Sequence, residues 1–102
     1  MGLLHEALSG STLVVAIDPG KVSNRVWLST GEDGEVMPPL SLPVLRPGLE
    51  RLHRLVVDHT GARSPVFAIE ATGGLHQTWM RELNQRFPGS VRLFAPSETT
   101  AA

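Results

Sequence analysis

The sequence predicts an α/β domain in which a five-stranded mixed sheet carries two helices. Residues 13–17 form a short, unbroken apolar run rich in β-branched side chains, which is typical of a strand covered on both faces. The same design returns later in the chain: residues 66–70 repeat residues 14–18 as a valine, an apolar residue, an alanine, an isoleucine and an acid. Two further segments carry apolar residues at helical spacing, which indicates helices packed on the sheet.

Each of the two related strands ends in a carboxylate, Asp18 or Glu70, followed by glycine-containing turns. Side chains alternate along a strand, so each acid shares a face with the valine and the alanine before it. If the two strands are neighbours, about 4.8 Å apart, both carboxylates overhang one end of the sheet within reach of one divalent ion. The alternative is that Asp18 and Glu70 are ordinary turn acids that cap the segments after them.

Residues 25–42 are predicted to continue the sheet as a meander. Residues 25–29 are β-prone, residues 31–34 form a turn cluster, and residues 35–42 resume as a third strand. Pro38 and Pro39 interrupt that strand, and tandem prolines belong at a sheet edge because they cannot donate backbone hydrogen bonds.

The second half predicts two helices and a last strand. The first helix follows residues 46–48 and is ended by Gly61, and the second begins near Gly74 or Leu75 and is ended by residues 88–89. Residues 91–94 form the fifth strand, and the expected strand order is 3-2-1-4-5. The apolar faces of the helices are predicted to be Leu49, Leu52, Leu55 and Val56 in the first, and Leu75, Trp79, Leu83 and Phe87 in the second. Trp27 and Trp79 are expected to be core or sheet-facing, not base-stacking.

Composition limits the classes of protein that fit. A chain of 102 residues is one domain, expected to span residues 12–102 after a flexible lead-in over residues 1–11. It has no cysteine, no basic N-terminal signal region and no apolar run long enough to cross a membrane, so we expect a cytoplasmic protein. The net charge of −1 argues against a module that coats nucleic acid. Its basic residues are arginines apart from Lys21, a composition suited to phosphate contacts.

The last residues, 96–102, look like a helix cap and its first turn. Because the sequence stops before such a helix is built, we expect the chain to be a truncated fragment. Part of one sheet face should therefore be uncovered, and an exposed apolar patch favours a homo-oligomer.

Two motifs carry a family resemblance. They are residues 16–21, AIDPGK, and residues 69–74, IEATGG, the second followed by a helix and by residues 93–96, LFAP. With the order β-β-β-α-β-α-β, they resemble the N-terminal RuvC-like domain of DEDD-type insertion-sequence transposases, the bridge-RNA-guided recombinases. The resemblance covers nearly all of the chain from Thr12 onward.

This resemblance implies a ribonuclease-H-like fold and a DNA transposase that cuts and rejoins DNA with Mg²⁺ or Mn²⁺ held by four carboxylates. Asp18 and Glu70 match the first two of the four. The two later aspartates, and the separate domain that carries a nucleophilic serine, would fall beyond Ala102. The implied partners are DNA and a structured guide RNA, and the fragment alone is expected to be inactive.

Lys21 and Thr72 each have a functional and a purely structural interpretation. Lys21 could neutralise charge beside Asp18 or contact a DNA phosphate, or it could be a surface lysine in a loop. Thr72, with the glycines after it, could cradle a phosphate at a helix N-terminus, or the turn could be glycine-rich for steric reasons alone. His53 and His59 do not align on one helix face, so a zinc pair is not expected and exposure is. His76 is expected at the surface.

Two rival functions remain open. An actin-like ATPase or sugar-kinase fragment would share this fold and its first aspartate, but those proteins follow that aspartate with glycine and hydroxyl residues, and here residues 19–22 are PGKV. The other rival is a non-catalytic module for dimerisation or RNA contact.

Overall fold

The computed structural model describes residues 12–60 and 65–95 as an α/β fold with a mixed sheet and two helices. The lead-in over residues 1–11, the helix end at Gly61 and the cap over residues 96–102 lie outside the described residues. The elements are β1 Val14–Asp18, β2 Ser23–Thr30, β3 Gly34–Glu35, β4 Leu40–Pro43, α1 Arg46–Thr60, β5 Val66–Glu70, α2 Gln77–Arg86 and β6 Val91–Phe94.

The sheet has six strands, in the order β3-β2-β1-β5-β6, with β4 also paired to β2. The pairs made by β3, β4 and β1 with β2 are antiparallel, whereas β1 with β5 and β5 with β6 are parallel. The predicted five-strand arrangement is therefore wrong in its third strand. Residues 35–42 do not form one strand, because Pro38 and Pro39 lack the backbone N–H that the ladder needs. Two short strands pair instead with opposite ends of β2.

Both helices pack on one face of the sheet. Along β1, Val15 and Ile17 are buried on this face, whereas Val14 and Ala16 on the other are only half-buried. The expectation that β1 is covered on both faces is therefore wrong for the part of the chain that the structure describes. One apolar core joins sheet and helices: Val15, Ile17, Val26, Leu28, Phe67 and Ile69 with Leu49, Leu52, Val56, Trp79 and Leu83.

We call the opposite side of the sheet the open face. No described helix packs on it, and apart from Val66, which is level with Val14, its side chains are half-buried or exposed, which agrees with the expected uncovered part of one face. Self-association stays a prediction. The open face is defined by Val14, Ala16, Asp18, Arg25, Trp27, Ala68, Glu70, Arg92 and Phe94.

Helix α1 begins at Arg46 and includes the Pro-Gly pair that was expected to precede it. Pro47 fits the first turn because a proline there gives up an N–H that has no helical partner. Gly48 is buried against β4: a Cβ at this position would lie 1.8 Å from the carbonyl oxygen of Pro43. The close approach of helix and strand therefore depends on a glycine.

Helix α2 is shorter than predicted. Residues 73–76 form a turn instead, in which the N–H of Leu75 donates to the Thr72 carbonyl and that of Gln77 to the Gly74 carbonyl. The side chain of Leu75 is exposed there. Trp79 and Leu83 are buried as predicted. The indole Nε1 of Trp79 donates to the Val44 carbonyl at 3.0 Å, which ties α2 to the segment between β4 and α1.

A polar contact also joins the two helices. Arg86 donates to both carboxylate oxygens of Glu50, and this hydrogen bonding, more than the charge of Arg86, lowers the pKa of Glu50 from its ordinary value of 4.5. Nδ1 of His53 lies 3.3 Å from Nη1 of Arg86, and the imidazole ring packs on Phe87 with ring centroids 5.2 Å apart. His53 is therefore half-buried and not exposed as expected, whereas His59 is exposed. Neither described helix is long and apolar enough to cross a membrane.

Candidate functional site

Asp18 and Glu70 end neighbouring strands of the sheet. In the parallel β1–β5 pair, Ala16 is level with Ala68 and Ile17 with Ile69, so the two acids that follow are level as well. Adjacent strands are about 4.8 Å apart, which places both carboxylates side by side at one edge. The predicted adjacency of these strands is confirmed.

The turn after Asp18 is fixed by its backbone. The N–H of Gly20 donates at 3.0 Å to Oδ1 of Asn24, whose side chain is buried. A Cβ on Gly20 would lie 2.3 Å from the carbonyl oxygen of Ser23, so only glycine fits without a shift of the chain. This turn reverses the chain into β2 and leaves Asp18 exposed at the end of β1.

The two carboxylates line one cavity of about 280 Å³ on the open face. Its floor is the adjacent pair Ala16 and Ala68, whose small side chains leave room above the sheet. Trp27 and Phe94 contribute the aromatic part of the lining. Asp18 is exposed and lies opposite Arg25 in the β1–β2 register, whereas Glu70 is half-buried and level with Phe94.

The donor set suits a hard cation but is small. Carboxylate oxygens are the ligands that Mg²⁺ and Mn²⁺ take in proteins. Within residues 12–60 and 65–95, however, no group of three or more histidine, cysteine, aspartate or glutamate side chains could hold a metal ion. Two carboxylates alone are too few ligands for such an ion, and a metal role for Asp18 and Glu70 stays a prediction.

Lys21 and Thr72 do not line the cavity of the two acids. Lys21 is exposed in the β1–β2 turn and lines a separate cavity of about 510 Å³, together with Leu45, Leu75 and Trp79. The hydroxyl of Thr72 is buried and has no hydrogen-bond partner among the described residues, while its carbonyl accepts from the N–H of Leu75 at 3.1 Å. The nucleic-acid role predicted for both stays a prediction.

His76 was expected at the surface, and it is less exposed than that. This residue is half-buried, and its Nδ1 is buried with no hydrogen-bond partner in the described part of the chain. Its backbone lies in the turn that leads into α2, where the N–H of Met80 donates to the His76 carbonyl at 3.0 Å.

Sequence reasoning missed four residues around the acids. Trp27 and Arg25 on β2, and Phe94 and Arg92 on β6, share the open face with Asp18 and Glu70. Trp27 faces the sheet surface away from the core and is 36% exposed, whereas Trp79 is 2% exposed. The period of two along β2 and β6 could have found them, had the strand registers been known.

Comparisons with known proteins give no family. No protein-family model and no curated protein matches the sequence. Solved structures that are similar in shape include the following two. One is the Aquifex aeolicus member of the Ppx/GppA family, with TM-score 0.46 and 10% identity over 85% of this chain and 36% of that one. The other is the Thermoplasma acidophilum Pelota protein, with TM-score 0.47 and 19% identity over 92% of this chain and 31% of that one.

This chain thus spans about a third of the length of each of these two proteins. At TM-scores below 0.5, neither similarity supports a functional assignment.

Proposed function

We propose that this chain is the N-terminal part of a ribonuclease-H-like catalytic domain of a DNA transposase or recombinase, which cuts and rejoins DNA with divalent metal ions. The observation that supports the proposal is that Asp18 and Glu70 end adjacent parallel strands and line one cavity. Two strand-end acids at one sheet edge form the start of a carboxylate cluster.

Asp18 and Glu70 would hold Mg²⁺ or Mn²⁺. Bound in pairs, such ions activate an attacking oxygen and stabilise a leaving one in phosphodiester chemistry. The protein contributes a rigid support, because β1 and β5 are fixed by their shared ladder and the turn after Asp18 is fixed by Asn24. Further ligands are needed to complete the site, so we expect the chain as given not to cleave DNA.

Thermal denaturation with added metal tests the site. An ion present at its dissociation constant stabilises a protein by about 0.4 kcal/mol, which is about 2–3 °C in Tm for a domain of this size. We expect millimolar Mg²⁺ or Mn²⁺ to raise the Tm of the parent by this small amount, and that of Asp18→Asn or Glu70→Gln by less. Glu35→Gln is the matched control, since Glu35 is an exposed acid on β3. Equal responses in the parent and Asp18→Asn would show that Asp18 is not a ligand.

The same variant has an expected effect without metal. Two neighbouring carboxylates repel each other, so Asp18→Asn should raise the Tm in EDTA by a few degrees. A lower Tm would mean that attraction between Asp18 and Arg25, its partner in the β1–β2 register, outweighs the repulsion.

A cleavage assay tests the reaction itself. The chain is compared with a form extended by its downstream reading frame, using linear and branched DNA, Mg²⁺ and the structured RNA. We expect cleavage only by the extended form, and only with Asp18 and Glu70 intact. Release of phosphate from ATP that depends on Asp18 would favour the actin-like ATPase or sugar-kinase alternative.

A further inference from the structure

We propose that the cavity beside Lys21 is a docking site for an acidic peptide segment of a partner protein, which inserts large apolar side chains and places carboxylates beside Lys21 and Arg46. This cavity, of about 510 Å³, is lined by residues of both helices and shares no lining residue with the cavity of Asp18 and Glu70. The inference is therefore independent of the proposed metal chemistry.

Three separate segments of the chain form the cavity: the turn after β1, the connection from β4 to α1, and the turn that leads into α2. Val44 joins all three. Its N–H donates to the Val22 carbonyl at 3.0 Å, and its carbonyl accepts from Nε1 of Trp79, also at 3.0 Å. The walls are thus held by hydrogen bonds in the free protein, so a ligand does not have to order them on binding.

Exposed apolar side chains are concentrated around this cavity. Leu45 and Leu75 line it and are 70% and 40% exposed, whereas the buried ring of Trp79 forms part of its wall. Val22 is 79% exposed and adjoins the lining through its hydrogen bond with Val44. Half of the large apolar side chains that the described residues expose therefore lie at one place. Single exposed apolar residues are ordinary, but a group of them around a cavity marks an interaction site.

The rim favours a peptide over a small molecule. A cavity of this volume is large enough for a small ligand, but such a ligand would leave Val22 and the outer part of Leu45 in water. A peptide segment can fill the cavity with one or more side chains and cover the rim with its neighbouring residues. Apolar anchors in a pocket supply most of the affinity of such contacts.

The charges at the rim favour an acidic segment. Lys21 forms no salt bridge among the described residues, and Nη1 of Arg46 reaches Glu50 only at 4.0 Å. Glu82, an acid of the lining, already contacts Nη2 of Arg86 at 3.6 Å. Neither helix has an acid in its first turn, and both first turns contribute to the lining, so the positive ends of the helix dipoles add to the positive potential. Carboxylates of a partner complement these charges.

Selection from a phage-displayed library of random short peptides tests the inference on the full chain. We expect the peptides that bind the parent to combine large apolar residues with aspartate or glutamate. Binding of a selected synthetic peptide should change the tryptophan fluorescence of Trp27→Phe, in which Trp79 in the cavity wall is the remaining tryptophan. A library that yields no binding peptide, or only basic ones, overturns the inference.

Substitutions at the rim test the apolar contribution. Leu45→Ser should weaken binding of the selected peptide about tenfold, because it removes a leucine from the contact. Val57→Ser is the matched control and should keep the affinity of the parent, since Val57 is an exposed apolar residue of α1 that does not line the cavity. Equal affinities of Leu45→Ser and the parent would place the peptide on another surface and overturn the inference.

Reversal of one charge tests the electrostatic contribution. Lys21→Glu should weaken binding of the acidic peptide by about threefold or more, and it should strengthen binding of the same peptide with its acids replaced by lysine. Loss of folding would not produce such an exchange of preference. Arg54→Glu is the control, because Arg54 is an exposed arginine of α1 that does not line the cavity. If Lys21→Glu binds both peptides as the parent does, the inference fails.

Two further outcomes concern a second copy of the chain and the metal site. A parent that binds no selected peptide and forms dimers that Leu45→Ser breaks would assign the cavity to a second copy and overturn the inference. Asp18→Asn should bind the peptide as the parent does, and Leu45→Ser should keep the metal-induced rise in Tm. Loss of the metal response therefore leaves the docking site standing, and loss of peptide binding leaves the metal site standing.

Discussion

Gly48→Ala should destabilise the protein, although helix propensity alone predicts the opposite. Alanine is favoured over glycine inside a helix by about 1 kcal/mol. The structure places the new Cβ 1.8 Å from the Pro43 carbonyl oxygen. An ordinary carbon–oxygen contact is about 3.3 Å, so α1 and the end of β4 would have to separate by about 1.5 Å. Both clashing groups belong to the backbone or are fixed to it, so no side chain can rotate away.

Overpacking of this kind costs about 1–3 kcal/mol, and it opens a contact at the edge of the core. Because the added Cβ meets backbone atoms, we place the cost at the upper end of this range, about 2–3 kcal/mol. After the gain of about 1 kcal/mol in helix propensity, we expect the free energy of unfolding to fall by about 1–2 kcal/mol and the Tm by roughly 5–15 °C. Urea denaturation monitored by circular dichroism measures both the midpoint and the slope. Gly74→Ala is the control: no atom lies within 4 Å of its added Cβ, and we expect it to gain about 0.4–1 kcal/mol. A Gly48→Ala protein as stable as the parent would refute the reasoning.

Two other substitutions test contacts of α2. Trp79→Phe removes the donor to the Val44 carbonyl and should lower the free energy of unfolding by about 1–3 kcal/mol in urea; an unchanged midpoint would mean that this hydrogen bond contributes nothing. Glu50→Gln should flatten the acid side of the stability profile. Because the hydrogen bond from Arg86 lowers the pKa of Glu50, the ionised carboxylate stabilises the parent above the ordinary value of 4.5, and this stabilisation is lost as the pH falls through the lowered pKa. Parallel profiles of parent and variant below pH 4.5 would contradict this.

The strands that carry the candidate site could be predicted because their signal is local. The repeated valine, alanine and acid pattern fixes which side chains share a face, and right-handed crossovers make β1 and β5 neighbours. The bounds of β6 were also predicted as observed, since Pro88 and Gly89 precede an apolar run. These features follow from the backbone geometry of short segments, which a few residues determine.

The features that could not be predicted depend on distant parts of the chain. An apolar run does not indicate which face of β1 a helix covers. The apolar stripe that includes Leu75 does not reveal the turn over residues 73–76, which delays the start of α2. The contact of Glu50 with Arg86 joins two helices whose docking no local pattern encodes. Trp27 was expected to be core or sheet-facing, and only the register with Ala16 places it beside the two acids.

The parallel ladder between β1 and β5 also governs when the candidate site can form during folding. The β1–β2 hairpin closes a short loop, whereas joining β1 to β5 closes the much longer loop between Asp18 and Val66, which contains α1. Closing a longer loop loses more chain entropy before any contact is gained, so non-local pairing is the slower step. Asp18 is in place with the early hairpin, but Glu70 joins it only when β5 has docked. On the ribosome, a nascent chain that has reached α1 therefore has only one of the two carboxylates of the candidate site, Asp18. Glu70 joins it only after β5 has been synthesised and has paired with β1.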